Sequence, residues 1–257
     1  MIQRWEPEDF VLQKDSIWRF PDRGDWATHK GDYRGNWSPY VPRNLILRYS
    51  NIGDLILDPF VGSGTTLIEA KLLCRDAIGV DINPYALRIA KERTRFIHAG
   101  ADGKVYIKQG DAKDMFFIPE ASIDLACVHP PYADIIKYSE DIEGDISNLA
   151  IPDFIDSMGA VAEELYRVLK VKKICAILVG DVRKKGEVVP VGFQTLSKFL
   201  AAGFSLKEIV IKQQFNCKMT NKWTALSEQR NFLLMAHEYL FILKKSGDNT
   251  VKMIDLL

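Results

Sequence analysis

The residues best suited to chemistry lie in two short segments. Asp58-Pro59-Phe60-Val61-Gly62-Ser63-Gly64-Thr65-Thr66 follows the apolar run Leu55-Ile56-Leu57 and precedes Leu67-Ile68-Glu69-Ala70-Lys71-Leu72-Leu73, where apolar residues recur at helical spacing. The pattern predicts a strand, a glycine turn and a helix. Gly62 and Gly64 permit positive φ and close backbone approach, so amide N–H groups and a helix N-terminus can turn towards a ligand. Asp58 stands at the carboxyl end of its strand, where open α/β sheets bind ligands. A second strand-like run, Ala77-Ile78-Gly79-Val80, ends at Asp81, whose carboxylate can accept hydrogen bonds from both hydroxyls of a ribose. A third acidic strand end carries Asp111, in Gln109-Gly110-Asp111-Ala112. The turn lacks the third glycine of Gly-x-Gly-x-x-Gly, which disfavours a nicotinamide cofactor.

The second segment is His129-Pro130-Pro131-Tyr132. It follows Ser122-Ile123-Asp124-Leu125-Ala126-Cys127-Val128, which reads as the fourth strand of the same sheet, so both segments are expected at one carboxyl edge. Two successive prolines fix φ near −65° and remove two N–H donors, leaving a rigid turn of carbonyl acceptors. Such a turn can accept from an exocyclic amine while the Tyr132 ring stacks on the base that bears it.

Together the two segments resemble the S-adenosylmethionine-dependent DNA amino-methyltransferases, which methylate N4 of cytosine or N6 of adenine. The resemblance covers most of the chain. Asn36-Trp37-Ser38-Pro39-Tyr40-Val41-Pro42-Arg43 is similar to the family segment that precedes the cofactor loop and closes over the methionine end. Leu165 to Lys170, Ile177 to Gly186 and His237 to Lys245 look like the family's later helix and strands. By position, the resemblance implies a cofactor site of Asp58, Pro59, Phe60, Gly62, Ser63, Gly64, Thr65, Asp81, Ile82, Asp111 and Ala112. Within it, Asp58, Gly62 and Gly64 would line the methionine part, Asp81 the ribose and Asp111 the adenine amine. His129, Pro130, Pro131 and Tyr132 would hold a flipped base.

One departure matters. The family mostly begins this tetrapeptide with Asp, Asn or Ser, whereas the first residue here is His129. A neutral imidazole accepts through one nitrogen, and a protonated one accepts through none. Serine goes mostly with cytosine in the family, and histidine also offers a single acceptor, so the expectation leans to cytosine N4. With an unperturbed histidine pKa of about 6.5, activity is expected to fall in mild acid.

The elements that must position these residues are legible in outline. Strands and helices alternate over residues 51–130. Helices are expected over Phe154 to Leu169 and Gly192 to Ala202, and strands over Lys173 to Val179, Leu206 to Gln213 and Ala236 to Leu243, with Ile142 to Leu149 an irregular loop. The order predicts a doubly wound, mostly parallel Rossmann-like sheet closed by a C-terminal antiparallel hairpin. Residues 1–50 hold Trp5, Trp18, Trp26 and Trp37 with little periodicity, and are expected to wrap the sheet and close over the cofactor. Residues 51–257 form the methyltransferase domain, with target recognition assigned to loops 133–152 and 213–235.

Composition bounds the function classes. The chain has 257 residues, 47% of them hydrophobic, and a formal net charge of zero, enough for a full α/β core and unlike a protein that coats nucleic acid. DNA would be met through local patches: Arg183-Lys184-Lys185, read as a loop, and Lys212 to Arg230, where Lys218, Lys222 and Arg230 alternate with Phe215 and Trp223. No apolar run of about 18 residues and no basic-apolar leader at Met1 is found, so a cytoplasmic enzyme without a membrane span is expected. Cys74, Cys127, Cys175 and Cys217 lack C-x-x-C spacing, and the four histidines form no cluster, so no metal is expected. The expected partners are double-stranded DNA and a cognate restriction nuclease, with the protein a monomer or homodimer. The rival readings are a tRNA or rRNA guanine-N2 methyltransferase, a protein-glutamine methyltransferase, and a non-catalytic nucleic-acid-binding subunit.

Overall fold

The computed structural model describes residues 4–131, 142–215 and 220–247. Tyr132, Cys217, Lys218, and the parts of the two recognition loops at 133–141 and 216–219 lie outside them, as does the side chain of Lys222. In chain order the elements are β1 (Ile17–Trp18), α1 (Tyr40–Tyr49), β2 (Leu55–Asp58), α2 (Thr65–Leu72), β3 (Asp76–Asp81), α3 (Pro84–Arg93), β4 (Val105–Gln109) and β5 (Ile123–Val128). A 3-10 turn at Ile146–Asn148 leads into α4 (Ile151–Val168), β6 (Leu169–Val179), β7 (Val182–Lys184), β8 (Glu187–Val189), α5 (Val191–Ala201), β9 (Phe204–Gln213), α6 (Thr220–Arg230) and β10 (His237–Lys245).

Eight strands form one sheet in the order β1-β9-β10-β6-β5-β2-β3-β4. The strands from β4 across to β6 run parallel, and β10 lies antiparallel between β6 and β9. This is the expected Rossmann-like methyltransferase sheet with its closing antiparallel pair. Strand β5 is buried at all six positions, as a central parallel strand covered on both faces must be. Its alternate residues divide between the faces: Ala126 and Val128 join the core under α4 and α5, while Leu125 and Cys127 join the one under α1. Asp124, buried in that strand, is neutralised by Lys170 at 2.8 Å and Lys173 at 3.0 Å.

Three readings of local structure need refinement. The first fifty residues contain a helix, α1, and a short strand, β1, that extends the sheet edge beside β9. The helix escaped because Pro42 sits in its first turn, where a missing N–H costs nothing, and its apolar residues face the core over a single short stretch. Arg183-Lys184-Lys185 is not a plain loop. Strands β7 and β8 pair antiparallel around Lys185 and Gly186, both at positive φ (51° and 92°), the two-residue turn whose twist suits a hairpin. The segment assigned to a 213–235 loop likewise includes the end of β9 and the whole of α6.

Candidate active site

Parallel strands that end together bring their last residues to one edge. Asp58 of β2, Asp81 of β3, Asp111 beyond β4, and His129 and Pro131 beyond β5 all line a single cleft there. The cleft has about 820 Å³ of empty space including its mouth, within the range of small-molecule sites. Of the predicted residues, Pro59, Phe60, Gly62, Ser63, Thr65, Ile82 and Ala112 also line it. Gly64 and Pro130 do not. At φ +87° Gly64 caps α2, and a Cβ there would lie 3.2 Å from the Ala90 backbone, so the glycine permits close packing of α2 on α3.

The carboxylates sit in different surroundings. Asp58 is buried, accepts from the Phe60 N–H at 3.0 Å and from the Thr66 hydroxyl, and burial pushes its pKa up to about 7. Asp81 accepts from the N–H groups of Gly62 and Asn83, each at 2.9 Å, which fixes the glycine turn against the start of α3. Desolvation still raises its pKa above the usual carboxylate range. Asp111 accepts from the Lys113 N–H at 2.9 Å and faces the Lys113 ammonium at 3.4 Å. A carboxylate has about four acceptor sites, so each retains capacity for a ligand. His129 keeps its Nε2 out of contact with solvent, and desolvation lowers its pKa to about 4. The imidazole is therefore neutral through the physiological range, and the acid limb expected in mild acid moves well below pH 6.

Several lining residues stand outside the predicted cofactor and base sets, although Asn36 and Trp37 belong to the segment expected to close over the methionine end. Gly144, Asp145 and Ile146 form one wall; a Cβ on Gly144 (φ +86°) would come within 3.1 Å of Ile82 Cδ1 and 3.3 Å of Asp111 Oδ2, so only glycine passes there without displacement. Asp145 accepts from the Ser147 N–H at 2.9 Å, the local turn that starts the 3-10 segment. The Asp-x-Ser spacing was the only sequence signal for this wall. Tyr33, Gly35, Asn36 and Trp37 form the other wall, with Asn36 Nδ2 donating to Ser63 Oγ at 3.2 Å. Glu69 of α2, fully buried, holds this segment: its Oε1 meets Trp26 Nε1 and His29 Nε2, each at 2.7 Å, and its Oε2 meets Arg43 Nη1 at 2.9 Å. Trp37 stacks nearly parallel on His129, ring centres 5.3 Å apart and planes 11° apart.

Chemically, the cleft is acidic at its floor and apolar along Phe60, Ile82, Ala112 and Val161. That donor set fits a ligand bearing cationic and hydroxyl groups on an apolar body. At the cleft, a neutral imidazole and a proline turn can orient an amine. Among the described residues no group of three or more His, Cys, Asp or Glu side chains could hold a metal ion, and no helix is long and apolar enough to cross a membrane.

Residues 4–92 match the family model N6_N4_Mtase, described as DNA methylase. The chain is 55% identical over 49 residues to the type II methyltransferase M.HpaI of Haemophilus parainfluenzae, covering 19% of this chain and 16% of that protein. Over 97 residues it is 44% identical to the orphan methyltransferase M.BamHII of Bacillus amyloliquefaciens, covering 35% and 37%. The type II methyltransferase M.MjaII of Methanocaldococcus jannaschii is 41% identical over 59 residues, 23% of this chain and 11% of that one. The matched stretches thus span well under half of these relatives' lengths. A SAM-dependent methyltransferase from Methanosarcina mazei superposes with a TM-score of 0.57 at 16% identity, covering 79% of this chain and 97% of that one. TrmN from Thermus thermophilus gives 0.57 at 18%, covering 82% and 50%. At such identities these two structures speak to the fold. The family match, which includes the first of the two loops, and the curated relatives bear out the resemblance to DNA amino-methyltransferases.

Proposed function

We propose that this chain is an S-adenosylmethionine-dependent DNA methyltransferase of the N6/N4 family, transferring a methyl group to the exocyclic amine of a flipped base. The observation that carries the reading is the convergence, in one cleft, of three acidic strand ends with the His-Pro-Pro turn. Asp58 would face the ammonium of the cofactor's methionine part, Asp81 the ribose hydroxyls, and Asp111 with Ile82 and Ala112 the adenine. The bound cofactor supplies an electrophilic sulfonium methyl. The protein's part is to orient the nucleophile. An exocyclic amine is conjugated with its ring and weakly nucleophilic, so His129 and the carbonyls of the proline turn would accept its protons and direct its lone pair. Alignment within about 3–3.5 Å of the methyl group supplies much of the rate.

The half-buried His129, neutral with its Nε2 out of solvent, supports an acceptor role rather than that of a general acid. Its single acceptor keeps the lean to cytosine N4 over adenine N6. Residues 1–50 would close over the cofactor and 51–257 form the methyltransferase domain, with target recognition in 133–152 and 213–235. Double-stranded DNA is the proposed substrate, with a cognate nuclease as partner and the cytoplasm as location. The test is methyl transfer from labelled S-adenosylmethionine to double-stranded DNA, tRNA and protein extract in parallel, with modified-base sequencing of the genomic DNA of expressing cells. Label in DNA as N4-methylcytosine is the expected result; label in tRNA or protein alone would overturn the assignment.

A further inference from the structure

We infer that Trp37 is the positioning residue of the His129 turn: its indole covers one face of the imidazole, fixes the ring plane and keeps water from it. The inference rests on the reading of His129 as an amine acceptor. Its geometric basis is the near-parallel stack at 5.3 Å between a tryptophan that is only 5% exposed and a histidine at the cleft. Trp37 is held in place from its own side. The Trp37 carbonyl accepts from the Arg23 guanidinium at 2.7 Å, and Trp37 belongs to the same apolar cluster as Val41, Leu125 and Cys127, the last two in the strand that ends at His129. The glycine turn and the histidine turn are thus coupled through the N-terminal segment, since Asn36 holds Ser63 while its neighbour Trp37 covers His129.

An indole face acts on an imidazole in two opposed ways. It excludes water, which disfavours the imidazolium, and it offers a π cloud, which favours a cation. The charged groups that face His129 are mixed: Glu238 at the start of β10 favours the cation, while Lys212 at the end of β9 and Arg23 in the N-terminal segment oppose it. Lys212 and Glu238 are themselves paired at 2.7 Å, so their effects partly offset and exclusion of water dominates. On this account His129 loses its hold on the neutral state when the indole is removed.

The experiment follows the His129 ring protons by NMR against pH in the ligand-free protein, assigned with His129→Asn, for the parent, Trp37→Phe, Trp37→Leu and Trp37→Ala. Trp37→Leu keeps an apolar anchor in the core but is too small to cover the imidazole face, so water reaches the ring, and it serves where Trp37→Ala does not fold. The parent and Trp37→Phe are expected to titrate below pH 5, and the leucine and alanine variants at least one unit higher, towards the free value of about 6.5. Unchanged titration in a folded Trp37→Leu protein, or a shift to still lower pH, would overturn the inference. Because no methyl transfer is needed for this readout, a protein that shows the shift yet methylates nothing defeats the proposed function and leaves the positioning role standing.

Discussion

Asp58 and His129 depart from the ordinary behaviour of their residue types in ways that each give a pH signature. Asp58 has its pKa raised to about 7 by burial. A carboxyl group whose folded pKa is raised adds stability that is fully present below its unfolded value of about 4 and is lost as pH rises through 7. A bound ammonium reverses this, because it holds the carboxylate ionised. Binding of S-adenosylmethionine should therefore release a proton near pH 6.5 and tighten about tenfold between pH 6 and pH 8, which follows from a single group of pKa 7 that must ionise. Titration calorimetry in buffers of different ionisation enthalpy measures the proton directly; no release would remove Asp58 from the cofactor site. His129 is opposite in sign. Its pKa is lowered to about 4, so its contribution to stability is intact above 6.5 and lost as pH falls towards 4. With cofactor saturating, single-turnover methylation should be level from pH 6 to 8 and fail only near pH 4. His129→Asn should keep part of the activity, since a carboxamide oxygen accepts at every pH, whereas His129→Ala should be nearly inactive; parental rates in the alanine variant would leave His129 a structural occupant.

At the scale of elements, two attachments decide how the cleft is walled and what it can meet. The first is Glu69, through which α2 holds Trp26, His29 and Arg43. Removing one member of a buried ion pair leaves its partner's charge uncompensated, a loss of about 3–5 kcal/mol. Glu69→Ala should lower the urea midpoint accordingly and also weaken cofactor binding, because Tyr33 and Asn36 ride on the anchored segment; a loss below 1 kcal/mol would mean that solvent takes Glu69's place. The second attachment is the β7–β8 hairpin. Arg183 lies 5.0 Å from the Phe232 ring centre, its Nη2 donates to the Leu233 carbonyl at 3.3 Å, and its Nη1 donates to the Gly186 carbonyl at 2.6 Å. The hairpin is thereby joined to the segment after α6, the helix on which Trp223 is 47% exposed, and the two would present one basic and aromatic surface to duplex DNA. Lys185→Ala should reduce the slope of log affinity against log salt by about 0.9 if it contacts one phosphate. Fluorescence anisotropy at several salt concentrations checks this, and an unchanged slope would place Lys185 off the DNA.

Taken as a whole, the described residues form an eight-stranded sheet with a core on each face and a separate two-stranded hairpin, and stability depends on the helices that cover the large sheet. Phe154 of α4 is fully buried against the β5 face, so Phe154→Ala should cost about 3–5 kcal/mol, read as a lower denaturant midpoint with an unchanged m-value. The sequence by itself determined the strands at Leu55–Asp58, Asp76–Asp81 and Ile123–Val128, the glycine turn and the acidic strand ends, because period, glycine and the chemistry of strand termini are local properties of a chain. It did not determine the hairpin at Lys185, where a lysine adopts positive φ that its own sequence disfavours, nor helix α1 or helix α6. Only the tertiary structure brought Gly144, Asp145, Tyr33 and Gly35 to the cleft, for these residues follow no period, whereas Asn36 and Trp37 belong to the segment that the resemblance already placed over the cofactor. The protonation of His129 belongs to the same class. A histidine's letter carries a pKa near 6.5, and it is the packing of Trp37 and the surrounding core, excluding water from the ring, that moves it to about 4.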